Sequence, residues 1–173
     1  VKEIFRNQAQ VNGLNYSRKL TFSLDSYSRD FKFFIVSVFI FGSGAMPISL
    51  MLLKSSALGE LSIFVPLMYL IYSVTFAVFA LPFGRISDKL GERKIILGGF
   101  ASAILSFLVL SRSSGFLGIA LGFAIFGIYS AMTNGVQRAY AAKLIAPGLE
   151  ASGQGFLGAA TGLSSLLAGL IGG

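Results

Sequence analysis

The amino-acid sequence predicts an all-α protein that lies in a membrane as a polytopic helix bundle. Of its 173 residues, 54% are hydrophobic and only 12% are charged, whereas soluble domains average about 25% charged residues. The mean hydropathy is +0.78. A helix needs about 20 mostly apolar residues to cross the hydrocarbon core of a bilayer. Five runs qualify by length and composition: residues 33–53, 63–83, 95–111, 116–135 and 153–173.

These five runs are predicted to be transmembrane helices and not strands. In hydrocarbon, every backbone N–H and C=O must be bonded within the protein, and a helix meets that requirement inside one segment. Transmembrane strands would instead alternate apolar and polar residues. Residues 32–173 are therefore predicted to form one transmembrane bundle in a lipid bilayer.

The positions of the basic residues predict how the bundle is oriented. The net charge is +7, and twelve of the fourteen basic residues precede the first run, follow the second or follow the fourth. Only Lys54 and Arg112 fall on the other side. By the positive-inside rule the N-terminus and the connector after the second run are cytoplasmic. The basic excess thus serves topology, with binding of anionic lipid as a secondary role, and we expect no nucleic-acid partner.

Several kinds of chemistry are not expected. The chain has no Cys and no His, which excludes thiolate catalysis, Cys/His metal sites and His general bases within it. The middles of the five runs hold no ionisable side chain, and no phosphate-binding loop of the form G-x-x-x-x-G-K-[ST] is present. We therefore predict neither an enzyme nor a cofactor or metal site.

Both ends of the sequence suggest a piece of a larger membrane protein. Residues 1–31 are polar and basic, and are expected to form a cytoplasmic leading segment or an interdomain linker. The fifth run reaches the last residue without a polar flank, so the bundle is expected to be incomplete at the C-terminus. Small residues spaced four apart predict close helix contacts: Gly118 and Gly122, and Gly158 and Gly162.

The connector "FGRISDKLGERK", residues 83–94, carries the most specific signal. Its spacing resembles the signature of the major facilitator superfamily, G-x-x-x-D-[RK]-x-G-x-[RK]-[RK], with every defined position filled. Those positions are Gly84, Asp88, Lys89, Gly91, Arg93 and Lys94. The resemblance covers most of the chain and implies five helices of a six-helix half, spans seven to eleven of twelve. The N-terminal half of the same protein is then the missing partner.

The residue types suggest how this connector works. Gly84 is expected to let its helix approach a neighbour, and Gly91 to permit a tight reversal. The resemblance implies that Asp88 contacts the other half of the protein and pairs with Arg138, which helps to hold one conformation. The simpler alternative is that Asp88 caps a helix while Arg138 extends to the lipid headgroups. The basic residues Lys89, Arg93 and Lys94 anchor the orientation or form contacts that break on gating.

The resemblance also implies a central cavity lined by the first and fourth helices. Candidate residues facing a substrate are Ser43, Met46, Ser49, Tyr129, Thr133 and Asn134. The alternative for each hydroxyl is ordinary packing, with its hydrogen bond donated one turn back along the helix. Pro47, preceded by two glycines in "FGSGAMP", marks the expected bend or flexible point of the first run.

The resulting functional prediction is a secondary active transporter in the cytoplasmic (inner) membrane. It would move a small molecule by alternating access, and a proton-coupling carboxylate, if there is one, lies in the other half. The alternative is a non-transporting membrane module, or a truncated inactive half that acts only through a partner.

Overall fold

The computed structural model consists of α-helices packed side by side. It describes residues 27–45, 47–56, 64–113 and 115–172, and within these ranges there is no strand. The predicted all-α class is therefore confirmed. The helices are α1 (Arg29–Gly44), α2 (Ile48–Ser56), α3 (Phe64–Leu90), α4 (Glu92–Arg112), α5 (Phe116–Leu144) and α6 (Glu150–Gly172).

Five segments are long and apolar enough to cross a membrane, as the sequence predicts. The first combines α1 and α2 as Arg29–Leu52, and the others are α3, α4, α5 and α6. The helices extend past the apolar runs, because a helix continues into the headgroup region while hydropathy marks only the hydrocarbon crossing. For example, α5 ends at Leu144, nine residues beyond the predicted boundary at 135.

The first run is two helices and not one, which corrects the single helix predicted for 33–53. α1 ends at Gly44, Ala45 adopts an extended backbone, and α2 begins at Ile48. Pro47 has no N–H to donate and its ring disfavours a helical residue before it. Its own carbonyl accepts from Leu50 N at 3.0 Å, which starts the next helix. The expected break in "FGSGAMP" is thus present, and Met46 lies outside the described residues.

The motif connector is mostly helical. α3 continues through Asp88 to Leu90, and Gly91 alone separates it from α4. Gly91 has φ +91°, a conformation that strongly favours glycine. The predicted reversal at Gly91 is therefore confirmed. A Cβ built on Gly84 meets no described atom within 4 Å, so its expected close approach to a neighbouring helix stays a prediction.

α5 is the central helix of the bundle. Half of its most apolar stretch is buried, compared with a third for α4 and less for the other spans. It packs most extensively against α4 and α3. At the α3 crossing a Cβ on Gly127 would lie 2.8 Å from the Tyr72 carbonyl oxygen. At the α4 crossing Ser106 Oγ donates to the Gly122 carbonyl at 2.8 Å.

Only part of the predicted small-residue packing is found. A Cβ on Gly122 would lie 2.5 Å from the Leu110 side chain of α4, so this glycine does allow a close contact. Gly118 faces Ser113 in the turn that precedes its own helix. Gly158 and Gly162 of α6 have no described atom near their Cβ positions. The four-residue spacing therefore marks a helix contact in α5 but not within the described part of α6.

A second helix pair stands beside this group. α1 packs chiefly against α6, where Gly42 faces the Ser164 side chain. Tyr27 and Phe31 are buried in a cluster that includes Leu157 of α6. α5 contacts α1 and α6 less extensively than it contacts α3 and α4, and less extensively than α1 contacts α6. The bundle thus consists of α3–α4–α5 and α1–α6, with a less tightly packed junction between them.

Replacing Gly127 by Ala tests the closeness of the α3–α5 crossing. The new methyl group has no room beside the Tyr72 carbonyl, and overpacking of this kind costs about 1–3 kcal/mol. We expect the free energy of unfolding in detergent micelles to fall by that amount. Gly135→Ala is the control on the same helix, because its Cβ meets nothing within 4 Å. It should be neutral or stabilising, since Ala favours a helix by about 1 kcal/mol over Gly. Equal effects of the two changes would contradict the described packing.

Candidate functional site

The charged residues of five helices meet at one end of the bundle, which we call the charged end. It contains the start of α1, the α3–α4 reversal, the end of α5 and the start of α6. Ser28 Oγ donates to the Leu144 carbonyl at 3.2 Å, joining the first and third of these. Gln154 Nε2 donates to the Arg138 carbonyl at 3.0 Å, joining α6 to α5. The basic segments that the sequence assigns to one side are thus brought together.

An ion pair between Glu92 and Lys143 ties α4 to α5 at the charged end. The Glu92 side chain is only 11% exposed, whereas that of Lys143 is 62% exposed. Glu92 lies in the first turn of its helix and Lys143 in the last turn of its own, where the helix dipoles favour these charges. Glu92 occupies an undefined position of the motif, and sequence reasoning did not select it.

Arg93 is also held against α5. Its Nε donates to the Tyr140 hydroxyl, and its guanidinium carbon lies 5.6 Å from the centre of that ring. Tyr140 in turn packs edge-on against Phe34 of α1, with 4.9 Å between ring centres. Arg93 therefore contributes a hydrogen bond between α4 and α5 in addition to its charge.

The expected pair of Asp88 and Arg138 is not formed in this structure. Both side chains are exposed, and neither takes part in an ion pair with a described residue. Lys89 and Lys94 are exposed as well. Among the described residues, the ion pair found at this end is the one between Glu92 and Lys143.

A polar cleft lies at the junction of the two helix groups. It has a volume of about 190 Å³ and is bounded by α1, the start of α2, α5 and α6. Tyr129, Thr133 and Asn134, three of the predicted substrate-facing residues, all line it. Ser43 and Ser49 are not among the lining residues. Ser43 instead donates to the Phe39 carbonyl at 2.8 Å, one turn back, which is the packing alternative.

Further polar residues of the cleft were missed by sequence reasoning. They follow helical spacing: Gln137 lies one turn after Thr133 and Asn134 on α5. On α6 the corresponding side chains are Thr161, Ser164 and Ser165. Residues three or four apart share a helix face, so a search for polar stripes at that spacing would have found them.

The hydrogen bonds divide the cleft residues into two kinds. The hydroxyls of Thr133, Thr161 and Ser164 donate to carbonyls of their own helices at 2.8–3.0 Å. Their oxygens can still accept. The amides of Asn134 and Gln137 form no hydrogen bond with a described residue. Two amide groups with both donors and acceptors are therefore available to water or a ligand.

A larger cavity of about 660 Å³ continues the polar cleft towards the charged end. It shares Asn134, Gln137 and Thr161 with the cleft and adds Arg138 and Gln154. The two cavities form a polar path along α5 and α6. The cleft is also lined by aromatic residues, with the ring of Tyr129 in contact with those of Phe41 and Phe126. The site thus offers hydrogen bonds and ring surfaces to the same occupant.

The described residues contain no cluster of three acidic, Cys or His side chains that could hold a metal ion. The polar path is lined by amides, hydroxyls and one arginine. These groups bind and orient a solute, but they do not include a nucleophile with a neighbouring base.

The arrangement is a bundle of helices long and apolar enough to cross a membrane, with a polar path along α5 and α6. The model of the Major Facilitator Superfamily matches residues 33–173. The chain therefore belongs to this superfamily, a family of membrane transporters and not of enzymes, and is an integral membrane protein in a lipid bilayer.

Curated relatives agree with this assignment. An uncharacterised MFS-type transporter of Methanocaldococcus jannaschii is 32% identical over 120 residues, 66% of this chain and 29% of the relative. The class B tetracycline resistance protein of Escherichia coli is 34% identical over 107 residues, 60% of this chain and 25% of the relative. The inner membrane transport protein YajR of Escherichia coli (strain K12) is 40% identical over 57 residues, which are 33% of this chain and 13% of the relative.

The matched part of the chain thus spans less than a third of the length of each of these relatives. No solved structure matches the chain at comparable significance.

A double-mutant cycle tests the ion pair at the charged end. Glu92→Gln, Lys143→Met and the combination should show a coupling of about 0.2–1 kcal/mol, the range of partly exposed ion pairs. Because Lys143 faces solvent, the coupling should weaken as salt is raised from 0.05 to about 1 M. The same cycle on Asp88→Asn and Arg138→Met is the control and should give coupling near zero. Additive effects at Glu92 and Lys143 would contradict the pairing.

Proposed function

We propose that this chain is one membrane domain of a secondary active transporter that moves a small molecule across the membrane by alternating access. The observation that carries the proposal is the polar cleft between α1, α5 and α6. Polar side chains in a membrane bundle are costly unless they are satisfied or line an aqueous path. Asn134 and Gln137, which lack a described partner, are best explained as groups that bind water or a solute.

The packing supports movement about the same cleft. α3, α4 and α5 are joined by close glycine contacts, whereas α1 and α6 form a separate pair joined to them by fewer contacts. The helix break at Pro47 lies on the wall of the cleft. Transporters bend helices where they border a binding site. We propose that α1 and α2 adjust at this break while the α3–α5 group moves as a unit.

A second half of the same protein would complete the site. The curated relatives are more than three times as long as the part this chain matches. We propose that the described helices are spans seven to eleven of a twelve-span transporter, and that the N-terminal half closes the open side of the cleft. Any proton-coupling carboxylate would then lie in that half.

We propose that the motif residues at the charged end hold one conformation. Asp88 is exposed and lies close enough to Lys143 for their charges to interact, but it forms no ion pair with a described residue, so its carboxylate can also contact the other half. Arg138 lies at the mouth of the larger cavity, where a pair with Asp88 would form only after movement. The Glu92–Lys143 pair keeps α4 and α5 together during that movement.

The same charged end supports the proposed orientation. The basic segments that meet there would face the cytoplasm by the positive-inside rule. The N-terminus is then cytoplasmic and the membrane is the cytoplasmic (inner) membrane. α2 and the start of α3 would face the opposite side.

Flux through the whole protein in inverted membrane vesicles tests the proposal. Vesicles are screened with a panel of labelled metabolites and antibiotics, including tetracycline because one relative is named for resistance to it. For any transported compound, Asn134→Leu and Gln137→Leu should each lower transport at least about tenfold, the effect of losing one to two hydrogen bonds. Asp88→Asn should lower the rate with little change in the apparent affinity, since it acts on the conformational step.

Two matched changes serve as controls. Ser102→Ala removes a hydroxyl that bonds its own helix outside the cleft, and Glu150→Gln neutralises an exposed acid of the charged end. Both should transport normally. Unchanged flux in the cleft variants would contradict the assigned site. Absence of flux for every compound, with normal membrane insertion, would favour a non-transporting module.

A further inference from the structure

A third cavity lies between α1, α4 and α5, and Val38 is the one lining residue that it shares with the polar path. We call it the lateral groove. Its volume is about 290 Å³. Its walls are mainly apolar, with charged and polar groups at one end only. The lining residues are Asp30, Phe33, Phe34, Ser37, Val38, Arg93, Ile96, Leu97, Phe100 and Tyr140.

The lateral groove runs along the helix axes. On α4 its residues recur one turn apart from Arg93 to Phe100, and on α1 they recur likewise from Asp30 to Val38. Seven residues of helix span about 10 Å at 1.5 Å per residue. The groove therefore extends from the charged end into the hydrocarbon region, over about a third of its thickness of 30 Å.

In the part of the chain that the structure describes, the rim of the groove is open to the side. Phe33 on one edge is 67% exposed and Leu97 on the other is 65% exposed. Large apolar side chains with this exposure in a membrane bundle contact lipid. The floor is formed by Val38, which is 4% exposed, and Ile96, which is 5% exposed. A flexible apolar chain lying beside the bundle thus has direct access.

The mouth of the groove carries a cation in a fixed position. Arg93 is held by Tyr140 through its Nε and by the ring face, and it lines the groove. Its two terminal nitrogens form no hydrogen bond with a described residue. These nitrogens match the geometry of a phosphate. Asp30 also lies at the mouth and opposes an anion there.

We propose that the lateral groove binds one anionic phospholipid, with its phosphate on Arg93 and one acyl chain along α1 and α4. Segments 29–32 and 88–94, which flank the mouth, carry five basic and three acidic side chains, and Glu92 among the acids is already paired with Lys143. The acyl chain gains little over bulk lipid, because lipid tails are as apolar as the groove. Selectivity therefore comes from the headgroup, as in other basic pockets on the cytoplasmic side of membrane proteins.

The experiment uses a tryptophan reporter, because the chain contains no Trp. Leu97→Trp is reconstituted in vesicles of equal phosphatidylglycerol and phosphatidylcholine, with brominated acyl chains on one lipid or on the other. Bromine quenches Trp fluorescence on contact. We expect brominated phosphatidylglycerol to be favoured about fivefold over phosphatidylcholine at this position, the preference that one well-placed cation gives near a membrane surface. Leu105→Trp, two turns further along the exposed face of α4, is the matched control and should show no preference.

Three charge variants in the Leu97→Trp background identify the headgroup contact. Arg93→Gln should abolish the preference, and Arg85→Gln, an exposed cation away from the groove, should leave it unchanged. Asp30→Asn should increase it by removing the opposing charge. The same three charge changes are also made in the Leu105→Trp background. Normal quenching of Trp fluorescence there shows that each variant is inserted in the membrane.

Other occupants give different results. Equal quenching by the two lipids at Leu97→Trp, or equal loss on changing Arg93 and Arg85, would overturn the proposal in favour of a non-specific basic surface. A decreased preference in Asp30→Asn would indicate a zwitterionic headgroup whose amine binds that carboxylate, and would also overturn it. Absence of quenching by either lipid would mean that protein covers the groove.

Discussion

The structure depends on one constraint: a bilayer provides no partner for a polar group, so each must be satisfied within the protein or border water. Helices meet this requirement for the backbone. For side chains, most hydroxyls donate to their own helix one turn back, as Thr133 and Ser43 do. The amides of Asn134 and Gln137 have no such local solution, and they lie together on the polar cleft. The position of these groups therefore supports the proposal that water or a solute occupies this part of the bundle.

The same helix, α5, serves both stability and the site. One face is fixed against α3 and α4 by glycines such as Gly127, where the backbones are too close for a methyl group. The other face carries the polar residues and meets α1 and α6 less tightly. At its end, Lys143 and Tyr140 hold the first turn of α4. The helices α3, α4 and α5 form one group, and α1 and α6 form another. Because the contacts between the two groups are fewer, the polar path between them can widen without unfolding either group.

Much of this could be predicted from the sequence because the bilayer fixes helix length and the motif fixes the reversal. The membrane-spanning segments, the break at Pro47 and the turn at Gly91 follow from local rules. The Glu92–Lys143 pair could not be predicted, since its members are 51 residues apart and meet only through the packing of α4 on α5. The role of Gly84 stays a prediction, because a missing Cβ permits a close approach without requiring one. Thr161 and Ser164 were overlooked because small hydroxyl residues in a helix usually serve packing.

The most direct test of the polar cleft is its access to water. These 173 residues contain no Cys, so in a background with any other Cys replaced Ser165→Cys places a thiol in the cleft, about 22 Å along α6 from Glu150 at 1.5 Å per residue. A charged, membrane-impermeant methanethiosulfonate reagent should label it in inverted vesicles. Ser102→Cys, outside the cleft on α4, should remain unlabelled. Labelling of Ser165→Cys alone is the result that an aqueous path predicts, whereas an unreactive thiol at that position, or equal labelling of both, would contradict it.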